Sequence, residues 1–145
     1  ESEAFNVIPQ TVELRGTVRT LENEVRAMAQ ARVRAIADHT AAAFGATATV
    51  HWRDGYPVMS NHPEETTHAA RVAADVSGQE VLEVPPLMGG EDFAYMLEER
   101  PGAYILVGNG NTASVHHPAY DFDDNVIPAG VSWFVGLAET RMPVA

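Results

Sequence analysis

Apolar and polar positions alternate along residues 6–20. Val12, Leu14, Gly16 and Val18 fall on one side, and Thr11, Glu13, Arg15, Thr17 and Arg19 on the other. A period of two predicts a half-buried strand, with Pro9 at its beginning because proline cannot donate to a ladder. Residues 23–44 change to helical spacing: Val25, Ala29, Val33, Ile36, Thr40 and Ala43 form one stripe, and Gly45 stops the helix. Ala46–Trp52 alternate again, so the order is strand, helix, strand. A second helix is expected from about His62 to Val76, then a short strand at Val81–Val84 and a loop at Pro85–Gly90. Glu91–Arg100 is again helical in spacing, through Phe93, Met96 and Leu97, with acidic residues at its start. The compact apolar run Ala103–Val107 reads as a buried strand ended by Gly108-Asn109-Gly110-Asn111, and Pro128 opens a last helix to Arg141. Strands alternating with helices predict an α/β fold. Asn-Val-Ile-Pro occurs at 6–9 and at 125–128, leading a strand once and a helix once, which marks chance rather than a repeat.

Composition narrows the chemistry. The 145 residues include no cysteine, and all nine basic residues are arginine. Schiff-base lysine chemistry and a phosphate-loop lysine are excluded, as are disulfides, thiolate nucleophiles and cysteine-ligated metals. A net charge of −11 argues against a nucleic-acid partner. With 46% apolar residues the chain is globular, and no apolar stretch approaches the roughly 20 residues a bilayer requires. Residues 1–60 hold six Arg and seven acids, whereas residues 61–145 hold three Arg and 13 acids. The change falls near Asp54-Gly55-Tyr56-Pro57 and Asn61-His62-Pro63, where a domain boundary is expected. The start has no initiator Met, and Glu1-Ser2-Glu3 has no signal-peptide character, so either the start was processed or the chain is part of something longer.

Three segments carry candidate chemistry. The first is His116-His117-Pro118-Ala119-Tyr120-Asp121-Phe122-Asp123-Asp124. Imidazole with carboxylates suits Zn, Mn or Ni. Adjacent side chains diverge, so the two histidines are not expected on one ion, and a solvated surface turn is the alternative. The second is Gly89-Gly90-Glu91-Asp92-Phe93, where glycines before a helix let backbone N–H groups approach an anion such as a carboxylate. The alternative is a plain turn with Glu91 or Asp92 capping the helix. The third is Arg19, on the polar side of the first strand thirteen residues after Asn6; it reads either as a bidentate carboxylate partner or as a solvated residue. His39, His51, His62 and His68 are scattered and read as solvated or capping.

In order, Asn6-Val7-Ile8-Pro9, Gly16-Thr17-Val18-Arg19-Thr20, Tyr56-Pro57 with Asn61, Met88-Gly89-Gly90-Glu91-Asp92-Phe93, Gly108-Asn109-Gly110 and His116-His117-Pro118-Ala119-Tyr120-Asp121-Phe122 resemble the metal-dependent M20 amidohydrolases. The nearest subgroup contains hippurate hydrolases, N-acyl-amino-acid amidohydrolases and plant auxin-conjugate hydrolases. The resemblance covers essentially the whole chain. It implies hydrolysis of the amide bond of N-acyl amino acids, supported by two divalent metal ions (Zn, Mn, Ni or Co) and a Glu general base. It also implies an αβα catalytic domain with an inserted α+β lid that mediates homodimerisation, a cytoplasmic location, and no nucleic-acid or membrane partner.

Residue by residue, His116 is similar to the family's last metal ligand, and His117 is then not a ligand. Gly89 and Gly90 look like the loop that receives the substrate carboxylate. Asn6 and Arg19 resemble lid residues that approach the substrate, and Asp92 and Phe93 look structural. Family chains are more than twice this length. On that pattern, residues 1–60 are part of the lid and residues 61–145 the C-terminal part of the catalytic domain. No catalytic residue is expected in the chain itself, because the general base and the other ligands, a cysteine among them, would lie upstream. The competing expectations are a truncated, non-catalytic module that dimerises through residues 6–20, and an acidic metal-binding protein using His116, His117 and Asp121.

Overall fold

In a computed structural model of the chain, residues 6–142 are described, and the chain divides into two units, Glu1–Asp54 and Gly55–Ala145. Glu1-Ser2-Glu3 lies outside the described residues.

The first unit is built on one helix, α1 (Asn23–Ala43). Its end is a Schellman closure: Gly45 donates to the Ala42 carbonyl at 3.1 Å and Ala46 to that of Ala41 at 2.9 Å. This geometry needs a left-handed residue, and Gly45 has φ 69°. The apolar stripe of α1 is not covered within the described residues. No residue of α1 is buried, and Val25, Met28, Val33 and Ile36 are all exposed. The chain after α1 is tied back to it by Arg34, whose Nη1 donates to the Val50 carbonyl at 3.3 Å, and by an ion pair of Arg26 with Asp54 at 3.7 Å.

The second unit holds α2 (Pro63–Ser77), α3 (Phe93–Glu99), a 3-10 turn (Asp124–Val126) and α4 (Ile127–Arg141). Proline opens α2 and sits in the first turn of α4, where its missing N–H is no loss. Gly78, left-handed at φ 65°, closes α2. α2 packs on α4. Ala69 and Val72 are buried there, and the Trp133 indole donates to the Ala69 carbonyl at 3.1 Å. Arg141 closes the far end on Glu65 at 2.6 Å. The approach depends on Gly136, where an added Cβ would stand 2.8 Å from Val72 Cγ1. α3 buries Ala94 and Leu97, the latter against Gly102.

All four helices begin and end within two residues of the expected positions. Among the described residues 6–20, 46–52, 81–84 and 103–107 make no ladder; the described elements are helices joined by irregular segments, and the strands of the α/β expectation are not confirmed there. The reason is that a strand exists only through a neighbour's N–H and C=O groups, and these segments find none within the described residues. One substitute is present. The Asn61 side chain donates to the Tyr104 carbonyl and accepts from the Tyr104 N–H, both at 2.8 Å. Beside it, His62 N–H donates to the Gly102 carbonyl at 3.0 Å, and the Gly102 N–H reaches His62 Nδ1 at 3.2 Å.

Unpaired segments leave apolar surface uncovered. Ile8 and Leu14 are each 93% exposed, and Leu82 is 82% exposed. Ile127, Val131, Phe134 and Val135 form an exposed stripe on α4. No helix among the described residues is long and apolar enough to cross a membrane.

The two glycines of α4 should respond oppositely to alanine. At Gly130 nothing lies within 4 Å of an added Cβ, so Gly130→Ala should stabilise the helix by about 0.5–1 kcal/mol. At Gly136 the same gain is outweighed by overpacking against the stiff Val72 side chain, for a net loss of about 1 kcal/mol. Thermal unfolding followed by helix signal separates the two; equal shifts would show that Gly136 is not the contact point.

Candidate functional site

Two loops of the second unit hold the residues singled out there. In the first, Gly89 and Gly90 precede α3. Both are exposed, an added Cβ at Gly89 meets nothing, and one at Gly90 would rest 3.4 Å from the Tyr56 ring. Tyr56 packs edge-on against Tyr95, centroids 6.0 Å apart. Asp92 occupies the N-cap position without a side-chain cap bond. The cap comes from Glu91, whose Oε1 accepts from Phe93 N–H at 3.1 Å. The N–H most available to an anion at the start of α3 is therefore already taken.

Glu91 links the loop to the segment after α3. Its carboxyl is held below the usual carboxylate range, first by the Phe93 N–H and also by hydrogen bonds from Tyr104 and Asp92, against an opposing desolvation. The Tyr104 phenol is pushed up, by burial first and then by its bond to Glu91. Its ring also packs on Phe93, centroids 5.7 Å apart. Because Asn61 grips the Tyr104 backbone, the glycine loop is referenced through Tyr104 to the start of α2. The sequence offered Glu91 as one of two possible caps, but Tyr104 and Asn61 were not assigned their supporting roles; Met-Gly-Gly-Glu-Asp-Phe drew attention to the place but not to Tyr104, 13 residues after Glu91, or to Asn61, 30 residues before it.

The second loop carries His116. His117 N–H donates to the Ser114 carbonyl at 3.1 Å, closing a turn with His116 at its third position. His116 has φ 70° and is the one non-glycine residue with positive φ among those described. A type II turn puts glycine or asparagine there, so histidine carries strain of the kind found at functional positions. The His116 ring makes no hydrogen bond among the described residues and is exposed. His117 is occupied differently: its Nδ1 accepts from Ala119 N–H at 3.0 Å and its carbonyl from Tyr120 N–H at 2.9 Å. Of the adjacent pair, one histidine builds the turn and the other is presented by it.

An exposed imidazole without partners, held by a strained turn, fits one metal ligand. A whole centre does not assemble here, since no three His, Cys, Asp or Glu side chains gather in a metal-holding group among the described residues. Asn6 and Arg19 lie in the first unit and are exposed; Arg19 Nη1 donates to Thr17 Oγ1 at 2.8 Å. The remaining histidines are solvated or structural: His62 pairs with Gly102 and His68 Nε2 with Thr140 Oγ1 at 3.1 Å. A cavity of 350 Å³ beside α2 and α4 is lined by Glu65, His68, Trp133, Leu137 and Arg141; Glu65 and Arg141 bond each other, Trp133 the Ala69 carbonyl, and His68 the Arg71 and Thr140 side chains.

Against known proteins, the model of peptidase family M20/M25/M40 matches residues 4–140. The N-acetyl-L-cysteine deacetylase of Bacillus subtilis is 40% identical over 85% of this chain and 29% of its own length. The N-acetyldiaminopimelate deacetylase of Streptococcus sanguinis is 32% identical over 87% of this chain and 34% of its own. Thermostable carboxypeptidase 2 of Saccharolobus solfataricus is likewise 32% identical, over 86% and 33%. Among solved structures, a Bacillus subtilis dinuclear metal-binding peptidase of the M20 family superposes with a TM-score of 0.84 at 31% identity, covering 99% of this chain and 40% of its own. The chain spans about a third of the length of the curated relatives it matches.

Two measurements check these loops. His116→Gly should relieve the left-handed strain and raise stability by about 1 kcal/mol, while His116→Ala, which keeps a Cβ, should not; equal melting temperatures for the two variants would show that the turn is unstrained. The lowered Glu91 pKa means its anchoring is fully present above the ordinary carboxylate value of 4.5 and is lost as pH falls through the lower folded value. Protection of the Phe93 amide, taken relative to its intrinsic exchange rate, should therefore fall as pH drops below about 4.5 in the wild type and show no such pH step in Glu91→Gln.

Proposed function

The chain belongs to peptidase family M20/M25/M40, and on that premise we propose that it is part of a metal-dependent amidohydrolase acting on N-acyl amino acids. The observation that carries this reading is the His116 turn, which spends backbone strain to present an imidazole that nothing among the described residues engages. The names of the relatives, which include N-acetyl-amino-acid deacetylases, support an acylated amino acid as the substrate class, hippurate-like compounds among them.

In this reading the second unit belongs to the catalytic domain and the first to the lid. His116 is one ligand of a pair of divalent ions, Zn, Mn, Ni or Co; the other ligands and the general base come from outside the described residues. When bound, such ions supply Lewis acidity toward the amide carbonyl and toward water. The chain's own part is binding and orientation. Exposed backbone at Gly89 and Gly90 receives the substrate carboxylate, with the Tyr56 ring packed against Gly90 as the wall of that loop. The start of α3 is not used, because Glu91 already satisfies Phe93 N–H. Arg19 and Asn6, both exposed, approach the substrate from the lid. Arg19 is spaced from its neighbours only by its bond to Thr17, so its guanidinium keeps donors for a carboxylate or acyl oxygen.

A second reading, a non-catalytic module that pairs with another copy through residues 6–20, is favoured by the exposure of Val12 and Leu14, 74% and 93%. Sedimentation of the 145-residue chain distinguishes it: a stable dimer supports pairing through this segment, and a monomer removes it.

The enzymatic reading is tested on the polypeptide that joins this sequence to the remaining ligands. It should hydrolyse N-acetyl and N-benzoyl amino acids, lose activity to a chelator and regain it with Zn or Mn. His116→Ala should lower kcat/KM by at least about 100-fold, since even residues that only support a ligand cost 10–100-fold. Activity insensitive to chelation or to His116→Ala would overturn the assignment.

A further inference from the structure

We propose that Asn109 is a positioning residue for His116, clamping the root of the loop that presents it. The proposal rests on the reading of His116 as a ligand, but its geometry is independent of that reading.

The loop leaves the Gly108–Gly110 segment and returns through Asp121–Asp123 into α4. Asn109 spans that root with both ends of its amide. Nδ2 donates to the Asp121 carbonyl at 2.7 Å, and Oδ1 accepts from Asp123 N–H at 2.8 Å. Thr112 Oγ1 accepts from Asp121 N–H at 3.2 Å on the same limb. A planar amide bonded at both ends holds two backbone groups two residues apart, which sets the register of the returning limb against the leaving one. Aspartate in its place lacks the donor, and glutamine is one methylene too long.

Asp123 passes this constraint onward. Its Oδ1 accepts from Asn125 N–H at 2.9 Å and its carbonyl from Val126 N–H at 3.0 Å, which starts the 3-10 turn leading into α4. The loop root is thereby fixed to the helix packed on α2. The bonds inside the loop do something different: Ser114 with His117, and His117 with Ala119 and Tyr120, define the shape of the tip. They do not tie the tip to anything else. Shape therefore comes from within the loop, and placement from Asn109.

NMR on the full chain separates the two. In Asn109→Ala the Asp123 amide should exchange at least about tenfold faster, as expected for loss of one hydrogen bond, and order should fall across residues 110–122. The intraresidue amide–Hα contact of His116, strong for a left-handed residue, should persist because the tip keeps its shape. Asn109→Asp retains the acceptor for Asp123 and should lie between Ala and wild type. The Trp133 indole resonance, bonded to Ala69 in the α2–α4 packing, reports that the unit remains folded. In the polypeptide with a complete metal centre, Zn²⁺ affinity should fall 10–100-fold in Asn109→Ala, with His116→Ala as the reference. Unchanged Asp123 exchange and loop order overturn the clamp. Zn²⁺ affinity that falls in His116→Ala but not in Asn109→Ala overturns the positioning role. Affinity indifferent to His116→Ala overturns the ligand reading instead, leaving the clamp to be decided by the exchange data.

Discussion

The second unit depends on one side chain doing the work of a strand. Asn61 bonds both the N–H and the C=O of Tyr104, the pair of groups that a neighbouring strand would otherwise satisfy. Leaving them unpaired in a half-buried place would cost about 1–3 kcal/mol each. Once Tyr104 is held, its phenol can meet Glu91 and its ring Phe93, and Glu91 can cap α3. The glycine loop before α3 is thus located by a chain of contacts that begins at Asn61, two residues before α2. Apart from the Tyr104–Phe93 ring contact the links are hydrogen bonds, and apolar burial is scarce here: Ala69, Val72, Ala94 and Leu97 are the buried hydrophobic residues described.

The same economy shapes the His116 loop. Its backbone is organised by polar side chains, Asn109, Thr112 and Asp123, because a loop over the surface has no core to lie on. Such a frame can hold a residue in a left-handed conformation that a softer loop would relax. It also explains the division of labour between neighbours, with His117 spent on the turn and His116 left outward. Residues 61–145 carry thirteen acids against three arginines, a balance that favours cations over anionic polymers.

Sequence patterning was most legible where structure is local. Helix spacing, Pro128 near the start of α4 and Gly45 at the end of α1 act within a few residues, so all four helices lie close to where the pattern puts them. The Met-Gly-Gly-Glu-Asp-Phe and His-x-Pro segments also drew attention to the two loops that the second unit frames. The cap was narrowed to Glu91 or Asp92, and only geometry chose Glu91. The strands are not confirmed among the described residues, because alternation describes what a segment does beside a neighbour; Val12 and Leu14 alternate and still stand exposed. The stripe of α1 is likewise exposed among the described residues.

By itself the sequence determined the helices, their ends, the acidic second half and the family to which the motifs belong, since each of these is carried by residue type and short spacing. The tertiary structure decided what the spacing could not reach. It showed that Asn61 pairs with Tyr104, that Gly136 is the place where α4 meets Val72, that Asn109 grips Asp121 and Asp123, and that His116 rather than His117 is presented by a strained turn. Three of these are contacts between residues 12 to 64 positions apart, and the fourth is a backbone angle; neither leaves a period in the sequence, because a single long-range hydrogen bond or a single left-handed residue needs no repeating pattern to form.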